Sequence, residues 1–403
     1  MNDLRYIDSD GHILEHPTAM PEYAAAEFRD RIWHIETDAD GQEWEVFDGT
    51  RGPSNFRSFA GAAGFDDEKV EAIMRGEVRY TESRPAAWDA KLRLVDMDMD
   101  HIDLAVLYPT MLLGLQSNLD LDFGIAQARA YNDWCVDHVA EGDGRLFGSG
   151  ALPPMHDAAG VQACADELRR VATLPGMVSV FMRPNPSVDW KPFMDPVYDP
   201  LWQAADETGL PIGIHPFFAA DLPGAAQGLR LNEAVGSLQA MADLAGYGSA
   251  ATGGLIFTQG IANVVDVMSA LCFITAGGVC ERFPNAKFIF LEANGGWLVP
   301  WLERLDHHVK KFGRGASWLQ LLPSEYFRRQ CWISFDPDEA MLRATAESPF
   351  CGADRIIWAS DYPHPDAKFP GVTEELAEAL DGLSFEQQRQ ITSESAIELY
   401  GIG

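Results

Sequence analysis

Residues 210–216 read Leu-Pro-Ile-Gly-Ile-His-Pro, an apolar run of strand length whose first polar side chain is a histidine at its carboxyl end. The same form recurs elsewhere in the chain. Lys287-Phe288-Ile289-Phe290-Leu291 runs into Glu292, Arg355-Ile356-Ile357-Trp358-Ala359-Ser360 runs into Asp361, and at the amino end Tyr6-Ile7 leads into Asp8-Ser9-Asp10-Gly11-His12. Short apolar runs, each followed by a segment of helical period, belong to parallel strands buried on both faces. We place eight of them, near 5–9, 102–108, 145–151, 177–182, 210–214, 286–291, 330–335 and 355–360. That alternation predicts an α/β fold of the (β/α)8 TIM-barrel class, in which polar groups at the carboxyl ends of strands form the catalytic face.

The connection after the first run, about residues 20–90, is rich in charge, glycine and aromatics without the period of a core element, and is expected to be an insertion. A second long connection after the fifth run, about 216–260, holds PFFAADLPGAAQ and GYGSAATGG. Gly-rich loops of that length in a compact domain commonly serve as lids or substrate walls. From about residue 384 the tail reads as one more amphipathic helix, opened by a capping box of Ser384 and Gln387. No internal repeat interrupts this order, so a single barrel domain over 1–403 is expected, decorated by the two insertions.

The 61 acidic against 30 basic residues give a formal charge of -31, which repels nucleic acid and anionic lipid and leaves a small-molecule substrate as the expected partner. Six scattered cysteines without a CxxC pair suggest neither a disulfide framework nor a zinc knuckle. With no basic-then-apolar leader and no uncharged stretch of spanning length, the expected location is the cytoplasm. Oligomeric state is not readable, a homodimer being the commonest closed assembly.

In a regular strand residues 8, 10 and 12 share one face, so Asp10 and His12 can point at one spot. Carboxylate oxygen and imidazole nitrogen together suit Zn²⁺, Mn²⁺ or Fe²⁺, although acids at strand ends also form turns. His215 and Glu292 have competing structural readings as a hydrogen-bonded core histidine and a capping or salt-bridged acid. The joint placement of Asp10, His12, His215, Glu292 and Asp361 at strand ends has no such ordinary explanation. Arg183, after the fourth run, is suited to grip a substrate carboxylate. His16 and His364 read as loop residues near the site, and His307-His308 as helix surface. Trp33, Trp44, Phe47, Phe56, Phe59, Phe217, Phe218 and Tyr247 are candidates for an apolar pocket wall, with core packing as the alternative. GxGxxG, GxxxxGK[ST] and GxSxG are all absent, which leaves nucleotide-dependent redox, P-loop and serine-hydrolase chemistry unsupported.

Four stretches extend this pattern: Glu15 and Pro17 after Asp10-Gly11-His12, FIFLEANGGWLVPWLERLD at 288–306, SEYFRRQ at 324–330 and SDYPHPD at 360–366. Through them the chain resembles, over nearly its whole length, the amidohydrolase-related enzymes that include aminocarboxymuconate-semialdehyde decarboxylase and resorcylate decarboxylase. The resemblance implies one divalent metal ion held by Asp10, His12, His215 and Asp361, with Asp361 binding metal or handling protons. Zinc is the first expectation, manganese and iron the alternatives. Many members carry His-x-His where this chain has Asp10-x-His12, and the decarboxylases carry a histidine where Asn294 precedes the paired glycines.

An amide cannot shuttle a proton at neutral pH, so the role shifts toward Glu292 or Asp361. Arg183, Asn294 and His364 are the expected substrate contacts. The expected reaction is hydrolysis of an amide, ester or thioester bond of a small organic acyl compound by metal-activated water. The alternative is non-oxidative decarboxylation, or hydration, of an aromatic or unsaturated carboxylic acid. A reading of another class is a catalytically inactive barrel acting as a binding protein.

Overall fold

The structure, a computed structural model, describes residues 4–217, 224–231 and 257–403. Strand β1 (Ile7–Ile13) is followed by a small antiparallel sheet of β2 (His34–Thr37), β3 (Glu43–Phe47) and β4 (Thr50–Pro53). The remaining strands are β5 (Leu104–Pro109), β6 (Leu146–Ala151), β7 (Met177–Met182), β8 (Ile212–Ile214), β9 (Phe288–Phe290), β10 (Cys331–Phe335) and β11 (Ile356–Trp358). With β1 they form one eight-stranded parallel sheet in the order β1-β5-β6-β7-β8-β9-β10-β11, so each of the eight apolar runs is a barrel strand. The ends of the sheet close on each other: Asp361 N–H donates to Asp10 O at 3.1 Å and His12 N–H to Tyr362 O at 2.7 Å. The fold is a (β/α)8 barrel.

Outer helices are set by sequence-local caps. Asp120 accepts from Phe123 N at the start of Leu121–Ala140, Asp157 from Gly160 N at the start of Ala158–Val171, and Asp199–Thr208 ends at Gly209 with φ 67°. The apolar residues of these helices share one hydrophobic core with fully buried strand residues such as Val106, Val180, Ile212, Phe288 and Ile357.

Strand β1 departs from the regular alternation assumed above. Asp8 pairs with Ala105 but Gly11 with Leu107, so three steps on β1 match two on β5, which is a bulge. Asp8 therefore leaves the face shared by Asp10 and His12, and its carboxylate accepts Ser360 N–H at 3.0 Å and Ser360 Oγ–H at 2.6 Å. Gly11 is required here, since a Cβ would sit 2.6 Å from Asp8 Oδ2 and 2.8 Å from Arg93 Nη2.

The first insertion is more ordered than its composition suggests. Besides the small sheet it holds the helix Asp67–Met74, and Ile32, Trp33 and Ile35 join the main core. Its described aromatics pack against neighbouring side chains. Trp33 is 1% exposed, with its indole donating to Glu45, while Trp44 bonds Asp38 beneath the Arg51 guanidinium and Phe47 meets Phe123 edge-on. Phe59 packs with Ile73 and Val78, and Phe217 against the main core. Phe218, Tyr247 and the side chain of Phe56 lie outside the described residues, as does most of 216–260.

In the tail the capping box forms as expected. Gln387 N–H donates to Ser384 Oγ at 3.3 Å and Ser384 N–H to Gln387 Oε1 at 3.0 Å. A wide π turn at Gln390–Glu394 separates two short α segments, and Tyr400 reaches into the barrel, donating to Ser9 O at 3.1 Å and meeting Tyr108 Oη at 3.4 Å. No described helix is long and apolar enough to cross a membrane.

Candidate metal centre

Parallel strands all end at one rim, and the first polar residues past their apolar runs meet there. Asp10 and His12 stand on the carboxyl half of β1, Thr110 follows β5, Arg183 follows β7 and His215 follows β8. Glu292, Asp336 and Asp361 stand just past β9, β10 and β11. Glu292, Asn294 and Asp361 have φ of 41°, 52° and 53°, left-handed conformations that cost these non-glycine residues about 1–3 kcal/mol each and cluster at functional sites.

Asp10, His12 and His215 are fully or almost fully buried, and their donor atoms lie within 4.8 Å of one another. His12 Nδ1 is 3.0 Å from Pro109 O and His215 Nδ1 is 2.9 Å from Pro216 O. A carbonyl only accepts, so in each neutral ring the proton sits on Nδ1 and Nε2 carries a lone pair. Those two Nε2 atoms face each other at 3.3 Å, and Asp10 Oδ1, buried without a hydrogen-bond partner, is 3.8 Å from both. Two lone pairs and an orphaned carboxylate oxygen at one point repel in the absence of a cation. Tetrahedral ligands at about 2.1 Å from an ion stand about 3.4 Å apart, close to the spacing here. The residues fit a divalent metal.

Electrostatics agree with that reading. Burial first, then Asp361 and Asp8, push the Asp10 carboxyl well above the usual carboxylate range. Burial also lowers His215 to about 3 and His12 well below the usual imidazole range, so both rings are neutral and able to ligate.

A second group shares His12. Asp361 Oδ1 is 3.4 Å from His12 Nε2 and 2.7 Å from His364 Nδ1. His364 Nε2 is 3.2 Å from Thr110 Oγ1, and its ring packs against His12, tilted by 31° with 4.1 Å between centroids. On the other flank Glu292 Oε2 is 3.4 Å from His215 Nδ1. The rim thus brings Asp10, His12, His215, Asp361, His364 and Glu292 together.

Arg183 and Asn294 are placed differently. Arg183 is almost fully buried and its Nη1 donates to Ser117 Oγ at 2.7 Å. Asn294 is exposed at the rim and its amide Nδ2 is 3.4 Å from Asp336 Oδ2. Asp336 escaped the sequence reading, though Ile333-Ser334-Phe335-Asp336 is the same apolar run ending in an acid that marked Glu292 and Asp361. Thr110 carried no comparable signal. Glu15 is buried and accepts the N–H groups of Met111 and Leu112 at 3.0 and 2.9 Å, which fixes the turn after β5.

Comparison with known proteins places this geometry. The chain is 24% identical over 342 residues, 83% of its length and 82% of the relative's, to a 2-amino-3-carboxymuconate-6-semialdehyde decarboxylase of Dictyostelium discoideum. An amidohydrolase from Mycobacterium avium subsp. paratuberculosis K-10 superposes with a TM-score of 0.71 at 20% identity, covering 100% of both chains. A 5-carboxyvanillate decarboxylase of Novosphingobium aromaticivorans, complexed with manganese and 4-hydroxy-3-methoxy-5-nitrobenzoic acid, superposes at 0.63 with 19% identity, covering 99% of this chain and 97% of that one. A family model described as amidohydrolase matches residues 7–402, nearly the whole chain, so the protein belongs to the amidohydrolase family.

Proposed function

We propose that this enzyme is a metal-dependent, non-oxidative decarboxylase of an aromatic or unsaturated carboxylic acid. Asp10, His12, His215 and Asp361 would hold one divalent ion. When bound, that ion supplies Lewis acidity that neutralises a substrate carboxylate and an adjacent oxygen. The observation that carries this choice over acyl hydrolysis is the bond between Asp361 Oδ1 and His364 Nδ1 at 2.7 Å. Hydrolysis asks Asp361 to take a proton from water, and the oxygen that would do so is already engaged by an imidazole N–H. Loss of carbon dioxide consumes no water and needs no such base. The decarboxylase among the relatives and the manganese-bound structural neighbour support the same reading.

The chain's own groups then divide the work. Asp361 holds the proton of His364 Nδ1 and Pro216 O that of His215 Nδ1, which keeps each imidazole in one tautomer, while Glu292 Oε2 lies 3.4 Å from His215 Nδ1. Arg183, which follows β7, meets a second anionic group of the substrate. The metal-loaded enzyme should release labelled carbon dioxide from carboxyl-labelled hydroxybenzoic or unsaturated carboxylic acids, and leave one solvent deuteron on the product in D₂O. Incorporation of ¹⁸O from water into the products of esters, amides or thioesters, with no carbon dioxide from any acid, would overturn the proposal in favour of hydrolysis.

A further inference from the structure

Decarboxylation needs a proton at the carbon that carbon dioxide leaves, and the two carboxyls described above are both engaged with imidazoles. Asp336 is not. It stands past β10, between Glu292 past β9 and Asp361 past β11, and its side chain meets Asn294 at 3.4 Å. We propose that Asp336 delivers the proton to the substrate carbon and that Asn294 is its positioning residue; the inference rests on the decarboxylase reading.

Three features hold this pair in place. Glu339 straps the two turns together, accepting Gly295 N–H at 2.8 Å on one oxygen and Asp336 N–H at 3.0 Å on the other. The Phe335 ring occupies the space beside Gly295, where a Cβ would come within 1.9 Å of it, so the β9 turn lies directly on the β10 strand end. Asn294 is held at φ 52°, the conformation from which its amide lies over Asp336. Such strain persists only where the surroundings over-determine it. The amide at 294 thus lies between the carboxyls of Asp336 and Glu339 past the adjacent strand.

The chemistry is available at neutral pH. Burial, followed by Glu339, Asp338 and Asp366, pushes the Asp336 carboxyl up to about 7. Asp336 is in turn one of the acids that raise the carboxyls of Asp10, Glu292 and Asp361. In the step, the substrate's π electrons take the proton from the Asp336 O–H at the carbon bearing the carboxylate. The bond from that carbon to the carboxylate then breaks, its electron pair restores the unsaturated system, and carbon dioxide departs. The Asp336 carboxylate regains its proton from water.

The test compares wild type with Asp336→Asn, Asp336→Glu and Asn294→Ala, each loaded with the same metal. Asp336→Asn is expected to lower kcat by about 10²-fold or more with KM little changed, at unaltered metal content and melting temperature, and Asp336→Glu to recover part of the loss. Because the acid form is required, wild-type kcat should fall as pH rises through about 7, and Asn294→Ala should displace that limb, which a merely structural role would leave in place. Asp336→Asn combined with Asn294→His should regain turnover by supplying an imidazole at 294. Wild type releasing carbon dioxide while Asp336→Asn keeps its kcat and pH limb would overturn this inference alone. No carbon dioxide from wild type would overturn the decarboxylase reading beneath it. If Asp336→Asn fails to fold, the Asn294→Ala pH limb decides, and an undisplaced limb counts against the proposal.

Discussion

Asp8 and Asp10 sit two residues apart on one strand, both buried, at 0% and 2% exposure, in opposite circumstances. Asp8 belongs to the seam that closes the barrel. It accepts from Ser360 N and Oγ, lies 3.9 Å from Arg93, and Arg93 in turn donates to His12 O at 2.9 Å. Asp10 belongs to the cavity, with one oxygen unpartnered and two imidazole lone pairs opposite. A buried carboxylate supplied with donors is a staple; one left without them stores repulsion that only a cation or a proton relieves.

The contrast is sharpest under substitution. Asp8→Ala should cost about 3–5 kcal/mol, because it strands the buried Arg93 and Ser360, and calorimetry should show it together with unchanged metal affinity in the folded fraction. Asp10→Asn should do the reverse. Its metal-free stability should hold or rise, while metal affinity falls by more than the about 10–100-fold typical of losing an outer-shell partner. Titration of metal-free protein with zinc, manganese and iron reads this, and a loss of stability matching Asp8→Ala would erase the distinction between the two acids.

A smaller effect is expected with pH. His215 is neutral in the folded protein down to about 3 against 6.5 when free. Unfolding therefore takes up a proton between those values, and the stability from keeping the ring neutral is lost as pH falls through that window. In metal-free His215→Asn the proton uptake at pH 5 should drop by about one, measurable as a shallower dependence of the urea midpoint on pH. An unchanged slope would mean that the ring is not held neutral by burial. Least of all, Ser384→Ala should cost about 1 kcal/mol through the lost cap of the tail helix, without touching metal affinity.

Much of this architecture was legible because barrel strands are buried on both faces and leave continuous apolar runs. All eight were placed, and His215, Glu292 and Asp361 stood out as the first polar groups beyond them. The same rule, applied to Cys331–Phe335, points to Asp336, a residue that calls for no further information. The first insertion was harder to read. Its strands are short and its aromatics sit among charged partners, so Trp33 looked like a pocket residue until Gln127 and Glu45 were seen to bind its two N–H groups.

By itself the sequence determined the class of fold, the helix caps such as Ser384 with Gln387, and the chemical types available at the rim. Those are local properties, decided by burial period and by hydrogen bonds a few residues apart. Only the tertiary structure decided that a bulge turns Asp8 away from Asp10, that Asn294 lies against Asp336, and that Asp361 comes within reach of His12. Each of those depends on the register between neighbouring strands and on contacts between residues up to 352 positions apart, such as Asp8 with Ser360. Side-chain direction in a closed sheet changes with every single-residue shift, and no local pattern records it.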